Sequence, residues 1–175
     1  MGKTFMNRVA NGRMDILEVF LRILAETRSR YCVVGGLAVN AYVEPVVSLD
    51  LDIVVAVEDI DPVCRAAGRR GLKVQRFQHR VNLTSAKSDL RIQLQTDSRY
   101  QEFIPRAAPK RILGYRMKAA SLEDVLQGKI WAYLDEQRRQ SKRQKDLADI
   151  MRLVEAHPRL QSHLPAGIRH TLRLK

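Results

Sequence analysis

Apolar positions recur along the chain with two periods. Between residues 13 and 28, Ile16, Leu17, Phe20, Ile23 and Leu24 fall on one face at helical spacing, which predicts an amphipathic helix. Tyr31–Val34 is a short apolar run that predicts a strand, and it stops abruptly at Gly35-Gly36. Leu37–Tyr42 then reads as one or two helical turns, broken by Pro45. From Ser48 to Val57 the period becomes two: Leu49, Leu51, Ile53, Val55 and Val57 share one face of a strand, and Asp50, Asp52 and Val54 share the other. Asp59 or Asp61 stands where a cap for the next helix belongs, with Pro62 in its first turn; this helix runs to about Arg69 and is ended by Gly71.

The second half continues with three more strands, Leu72–Phe77, Val81–Thr84 and Leu90–Gln95, a helical segment over residues 98–107, and a last strand over Arg111–Lys118. Ser121 with Asp124 three residues on resembles a capping box and opens a helix to about Asp135. Lys142–Ala156 predicts another helix, with Leu147, Ile150, Met151 and Val154 as its apolar stripe, and Pro158 and Pro165 punctuate the tail. The order of elements predicts an α+β fold: a mixed β-sheet flanked by helices, followed by a helical C-terminal region. There are too few strand–helix–strand units for a doubly wound sheet. Residues 1–118 read as the core, and residues 119–175 as helices packed on that same core. No internal repeat or low-complexity linker interrupts the pattern.

Composition narrows this picture in one respect. A 45% hydrophobic and 29% charged chain of 175 residues is ordinary for a globular domain, but the formal charge is +12. Most of the excess lies after Asp97: residues 98–175 carry 17 basic and 8 acidic side chains, against 14 and 11 before that point. Such a field attracts polyanions, whether nucleoside triphosphates or nucleic acid. Cys32 and Cys64 sit in apolar or helical surroundings and read as reduced core thiols, which fits a cytoplasmic setting. The four histidines have no zinc spacing with them. The N-terminal apolar stretch is interrupted by Glu18 and Arg22, so no signal peptide and no membrane span is expected.

The residues that carry chemistry are Asp50 and Asp52. At i and i+2 on one strand their carboxylates point the same way, about 6–7 Å apart along the strand. Two like charges on an apolar strand repel each other and are costly to desolvate; a divalent cation between them resolves both problems. Mg²⁺, with Mn²⁺ as substitute, suits one or two carboxylates completed by phosphate oxygens and water. Thirteen residues separate Asp50 from Gly35-Gly36, which lies between an apolar strand and a short helix. Glycine there lets the backbone approach a ligand closely and offers N–H groups to a phosphate. The order strand, Gly-Gly, helix, Asp-x-Asp strand is the one that a triphosphate and its metal require.

Val33-Val34-Gly35-Gly36-Leu37-Ala38, followed by Leu49-Asp50-Leu51-Asp52-Ile53, resembles the opening of the polymerase-β-like nucleotidyltransferases. It is most similar to the minimal bacterial branch that includes the AbiEii-type toxin nucleotidyltransferases. Leu122-Glu123-Asp124 through Lys129, then Arg143-Gln144-Lys145-Asp146-Leu147-Ala148-Asp149-Ile150, is similar to the C-terminal signature of that branch. The resemblance spans roughly residues 30–155. It implies that Asp50 and Asp52 are Mg²⁺ or Mn²⁺ ligands, that Gly35, Gly36 and Ser48 line the nucleotide, that Lys129 meets the triphosphate, and that Asp146 orients Lys129 or assists the acceptor. An NTP is the implied donor. The acceptor is a hydroxyl on RNA, a protein or a small molecule, with RNA drawn by the basic C-terminal region. A toxin–antitoxin pair, with an antitoxin or other protein partner, is one implied setting.

Two departures keep a rival reading open. Many relatives carry Arg and Thr just before the Asp-x-Asp, where this chain has Val46 and Ser48. In the strand Leu90–Gln95, Ile92 and Leu94 point to the core, so the place of a third carboxylate falls on Gln93. Asp89 shares that parity but lies roughly 13 Å away along an extended strand, while Arg91 is placed to neutralise the acids without metal. The rival is a degenerate member that binds nucleotide, nucleic acid or a partner protein without catalysis. An unrelated basic nucleic-acid-binding module is a third reading. The run Arg138, Arg139, Lys142, Arg143 and Lys145 serves either a nucleic-acid backbone or a solvated turn.

Overall fold

A computed structural model describes residues 2–173. Two helices, α1 (Lys3–Val9) and α2 (Ile16–Glu26), lead into β1 (Tyr31–Val34), α3 (Gly35–Val39) and β2 (Asp50–Val55). A 3₁₀ turn at Val57–Asp59 precedes α4 (Ile60–Arg69) and the strands β3 (Lys73–Phe77), β4 (Arg80–Ser85) and β5 (Ser88–Gln95). A 3₁₀ segment, Ser98–Arg106, is followed by β6 (Ala108–Ile112), β7 (Tyr115–Ala119), α5 (Leu122–Leu134) and α6 (Gln140–Ala156). A 3₁₀ turn, Pro158–His163, and α7 (Ala166–Thr171) close the described chain.

The strands form one mixed sheet in the order β3-β4-β5-β2-β1-β7-β6. β2 lies at its centre, antiparallel to β1 and parallel to β5. Leu51, Ile53, Val54 and Val55 are fully buried there, so the polar face expected from strict alternation narrows to Asp50 and Asp52. The strand is shorter than its apolar pattern: Leu49 and Val57 fall outside it and stay exposed. A single apolar cluster runs from Met6 and the α2 stripe through the sheet to Ile150, Leu153 and Val154 of α6. Each large side chain fully removed from water contributes about 1.5–3 kcal/mol.

The predicted single strand over Arg111–Lys118 is instead a hairpin, β6 and β7. Leu113 and Gly114 form its two-residue turn, with φ of 49° and 87°. Two positive φ values fit a turn that matches strand twist, and glycine takes the second at no steric cost. The expected stripe of α6 also needs correction. Met151 is exposed, and the buried face is Asp146, Asp149, Ile150, Leu153 and Val154. Two buried carboxylates replace hydrocarbon on that face because a buried lysine from α5 meets them. Residues 98–106 are helical as expected, but in 3₁₀ form with Pro105 inside, whose missing N–H cannot serve an α-helical ladder. Asp59 sits at the start of α4 without capping it; its carboxylate accepts from the Arg30 N–H instead. Ser121 does cap α5, accepting from the Asp124 N–H at 3.2 Å. No helix among the described residues is long and apolar enough to cross a membrane.

Candidate active site

β1 ends in the middle of the sheet, and Val34 lies opposite Asp52 in the β1–β2 register. The chain must therefore leave β1 directly beside the Asp52 side chain. Gly35 makes this possible: its φ is +68°, and a Cβ there would stand 2.8 Å from Asp52 Cβ and closer still to Oδ2. Gly36 is different. A Cβ at that position would reach only Asp149 Oδ2 and Ser48 Oγ, both at 4.0 Å. Ser48 shapes the entry to β2, where its hydroxyl accepts from the Asp50 N–H at 3.3 Å.

Asp50 and Asp52 share a face and both keep part of their surface exposed, but their surroundings differ. In the parallel β2–β5 pair Arg91 lies opposite Asp50 and Gln93 opposite Asp52. Arg91 donates to Asp50 Oδ1 through Nε at 3.0 Å and a terminal nitrogen at 2.7 Å. Lys142 of α6 reaches Asp50 Oδ2 at 3.3 Å. Burial pushes the Asp50 carboxyl up, but the Arg91 hydrogen bonds and charge, helped by Lys142, outweigh it and hold the net value below the usual carboxylate range. Among the described residues no group donates a hydrogen bond to the Asp52 carboxylate. Burial pushes its pKa up, Lys129 opposes that and the Asp50 charge adds to it, and the net value is raised. Asp89, the one acid on β5, is engaged elsewhere and accepts from Asn11 at 2.7 Å.

Behind Asp52 the α5–α6 hairpin buries an ion network. Lys129 Nζ lies 2.8 Å from Asp146 Oδ1 and 2.7 Å from Asp149 Oδ2, with all three side chains at most 6% exposed. The second contact is a close ion pair, and the Lys129 ammonium is the one group described against Asp149 Oδ2, a buried oxygen. Arg138 meets the other oxygen of Asp146 at 2.7 Å, and Arg152 that of Asp149 at 2.7 Å. Arg152 also donates to the Glu44 carbonyl, tying the network to the loop that leads into β2. Burial alone would lower the Lys129 pKa; the Asp149 and Asp146 charges reverse that and raise it. Beside the site Tyr100 packs edge-on against Phe103 and Trp131, with centroids 5.3 Å apart in each pair. Burial and the Asp52 charge push the Tyr100 hydroxyl up to about 12.

Gly35, Gly36, Ser48, Asp50 and Asp52 thus meet at one end of the sheet, with Lys129 and Asp146 packed alongside. Asp149, Arg138 and Lys142 were not anticipated as members. Asp149 had a signal, since three residues after Asp146 is the same helical face; Lys142 had none, because only the docking of α6 brings it to Asp50. The basic run is largely committed to internal contacts: Arg138 to Asp146, Lys142 to Asp50, and Arg143 to the Tyr133 carbonyl. Arg139 and Lys145 make none of the described ion pairs.

The donors around the carboxylates are all oxygens: Asp52, the Oδ2 side of Asp50 and the Gln93 amide. That set fits Mg²⁺ or Mn²⁺ better than a softer metal, and the unsupported Asp52 carboxylate is the group a cation would satisfy. Among the described residues no three His, Cys, Asp or Glu side chains converge as a metal site, so such an ion would complete its shell with phosphate oxygens and water.

Comparison with known proteins agrees with this geometry. Residues 20–173 match the family model described as nucleotidyl transferase AbiEii toxin, type IV TA system. No curated protein sequence matches the chain. Among solved structures, the antibiotic-resistance factor ANT(2'')-Ia in solution is similar over 99% of each chain, at 14% identity and a TM-score of 0.59. ANT(2'')-Ia in complex with adenylyl-2''-tobramycin matches 90% of this chain and 97% of its own, at 16% identity and a TM-score of 0.64. The lincosamide antibiotic adenylyltransferase LnuA, lincomycin-bound, matches 81% of this chain and 98% of its own, at 12% identity and a TM-score of 0.57. At these identities the structural likeness establishes the shared fold.

Proposed function

The chain belongs to the AbiEii nucleotidyltransferase family, and from that premise we propose that it transfers a nucleoside monophosphate from an NTP to a hydroxyl acceptor, releasing pyrophosphate, as the toxin of a toxin–antitoxin pair. The observation that carries this reading is the seating of Asp52 against Gly35. It sets a carboxylate without a hydrogen-bond donor at the mouth of a glycine turn, two residues from a second carboxylate on the same face.

A bound Mg²⁺ or Mn²⁺ would draw charge from the triphosphate and from the oxygens exchanged at the α-phosphorus. Asp52 and Asp50 are the residues that would hold it. The backbone of Gly35 and Gly36, with Ser48 beside them, lines the place for phosphate oxygens. Lys129 adds a fixed positive charge behind Asp52. Asp146 and Asp149 hold that lysine in its charged form, and Arg138 and Arg152 keep the two acids from withdrawing toward solvent. In such a site positioning and electrostatics supply most of the rate. Removal of the acceptor proton is not assigned to a carboxylate on β5, since Gln93 cannot take one.

Arg139 and Lys145, which make no ion pair among the described residues, and the basic C-terminal half favour a polyanionic acceptor such as RNA over a small neutral one. The adenylyl-tobramycin and lincomycin of the structural neighbours define the small-molecule alternative. The deciding experiment incubates the protein with α-labelled NTPs and Mg²⁺ or Mn²⁺, supplying RNA, protein extract, an aminoglycoside or a lincosamide as acceptor. Label moved by the wild type and lost in Asp50→Asn/Asp52→Asn is expected, with RNA the favoured carrier. Absence of transfer from every NTP to every acceptor, with folding and nucleotide binding intact, would leave a binding protein on a nucleotidyltransferase fold.

A further inference from the structure

The two carboxylates of the Asp-x-Asp pair are not equivalent, and the difference limits how many cations the site can take. Arg91 lies directly across from Asp50 in the β2–β5 register, and two of its N–H groups converge on one oxygen, Oδ1. Lys142, from a different element, faces Oδ2. Asp52 stands across from the uncharged Gln93. One carboxylate of the pair is therefore already in direct contact with two cations of the chain, whereas the other makes none of the described ion pairs and feels Lys129 only from behind.

The two cations on Asp50 also differ from each other. Arg91 makes two short contacts, and its guanidinium cannot give up its charge. Lys142 makes one longer contact from a side chain 35% exposed, so it can swing away and leave Oδ2 to another ligand. A divalent ion could then bind between Asp52 and Oδ2. A second ion on the Oδ1 side would have to sit against a permanent guanidinium charge, on an oxygen whose lone pairs are already used.

We propose that this nucleotidyltransferase works with a single divalent cation, and that Arg91 takes the place of the second ion of a two-metal site. Resting on the metal-dependent reading above, the proposal gives Arg91 a definite part. Its guanidinium is 44% exposed on the side chain, fixed to Asp50, and available to steady negative charge on the incoming acceptor oxygen. It also accounts for Gln93: with one ion held on the Asp52 side and Arg91 on the other, a third carboxylate has no second metal to complete.

The test counts ions rather than turnover. Mn²⁺ bound per chain is measured by electron paramagnetic resonance, at saturating concentration of a non-hydrolysable NTP analogue, in the wild type and in Arg91→Glu. The expected result is about one ion in the wild type and about two in the variant, where a carboxylate replaces the cation. Two ions in the wild type overturn the proposal, as does a single ion in a folded Arg91→Glu. If Arg91→Glu does not fold, Arg91→Gln gives the same comparison: loss of the charge should admit a second ion at Mn²⁺ concentrations where the wild type holds one, and an unchanged count overturns the proposal. No bound Mn²⁺ in the wild type, with nucleotide present, would instead sink the metal-dependent function itself.

Discussion

Gly35 and Asp52 occupy adjoining positions so tightly that no side chain can be added to the first without displacing the second. A methyl group on Gly35 would lie 2.8 Å from Asp52 Cβ and 2.9 Å from Cγ, and the backbone there has a φ of +68°. The turn after β1 and the carboxylate on β2 are one structural unit. Gly35→Ala should therefore cost about 1–2 kcal/mol for the left-handed backbone and about 1–3 kcal/mol more for the overlap. A double-mutant cycle separates the two: in an Asp52→Gly background the overlap disappears and only the backbone cost remains. Urea melts of the four proteins measure the coupling, and a coupling near zero would mean that the two residues do not constrain each other.

The neighbouring glycine should behave in the opposite way. The nearest groups to a Cβ on Gly36 are Asp149 Oδ2 and Ser48 Oγ, at 4.0 Å, and Asp149 Oδ2 is a buried oxygen met by the Lys129 ammonium alone, with capacity to accept a further hydrogen bond. Gly36→Ser should fit and offer its hydroxyl to that oxygen. A satisfied buried acceptor contributes about 1 kcal/mol, so the expected outcome is an unchanged or higher melting temperature. Gly36→Ala fills the same space without the hydroxyl and isolates the hydrogen bond. A serine variant no more stable than the alanine variant would show that the bond does not form.

Part of this site was legible in the sequence for a simple reason: the strand period is two. Once Leu51 and Ile53 point inward, Asp50 and Asp52 share the other face, and the same parity on β5 delivers Arg91 and Gln93 to them. The abrupt end of an apolar run at Gly35-Gly36 likewise marks the end of β1. What could not be read depends on contacts distant in sequence. Asp149 looks like a solvent-facing position until Lys129 is placed across the helix hairpin, and Met151 looks like core for the same reason; Asp146 is set beside Lys129 by the family resemblance alone. The β6–β7 turn, Leu113-Gly114, lacks the Asn-Gly or Asp-Gly signature that announces most such hairpins. α1 buries little besides Met6 and owes its place to packing against the β6–β7 turn, where Gly114 lies against the Lys3 backbone.

The imbalance between the two acids predicts that activity and stability diverge at Asp52. Its carboxylate is unsupported by hydrogen bonds and its pKa is raised chiefly by burial, so the folded protein carries its charge at a cost. Asp52→Asn should abolish nucleotidyl transfer while stabilising the fold by about 1 kcal/mol, or about 2–4 °C in melting temperature for a chain of this size. Asp50→Asn should also abolish transfer but destabilise, because Arg91 and Lys142 lose the charge they meet. Differential scanning calorimetry of the two variants checks the sign. A fall in both would mean that the Asp52 charge is better compensated than its surroundings indicate.

Lys129 makes the strongest demand on the fold. Its ammonium is 6% exposed and faces Asp146 and Asp149, which are held from behind by Arg138 and Arg152. Lys129→Met keeps the bulk but leaves two buried carboxylates without their shared cation, and breaking a buried pair in this way costs about 3–5 kcal/mol. The linkage to pH has a definite sign. The Lys129 pKa is raised above 10.5 in the folded state because the Asp149 and Asp146 charges outweigh burial. Its contribution is therefore fully present below the unfolded value and is lost as pH rises through the folded one. Stability measured by urea unfolding from pH 8 to 12 should fall on the alkaline side in the wild type, and the Lys129→Met curve should lack that part of the fall. Lys129→Met/Asp149→Asn should recover part of the loss by removing one stranded charge. Parallel alkaline limbs for wild type and Lys129→Met would show that the lysine does not titrate with folding, and would remove the basis for treating it as a fixed charge behind Asp52.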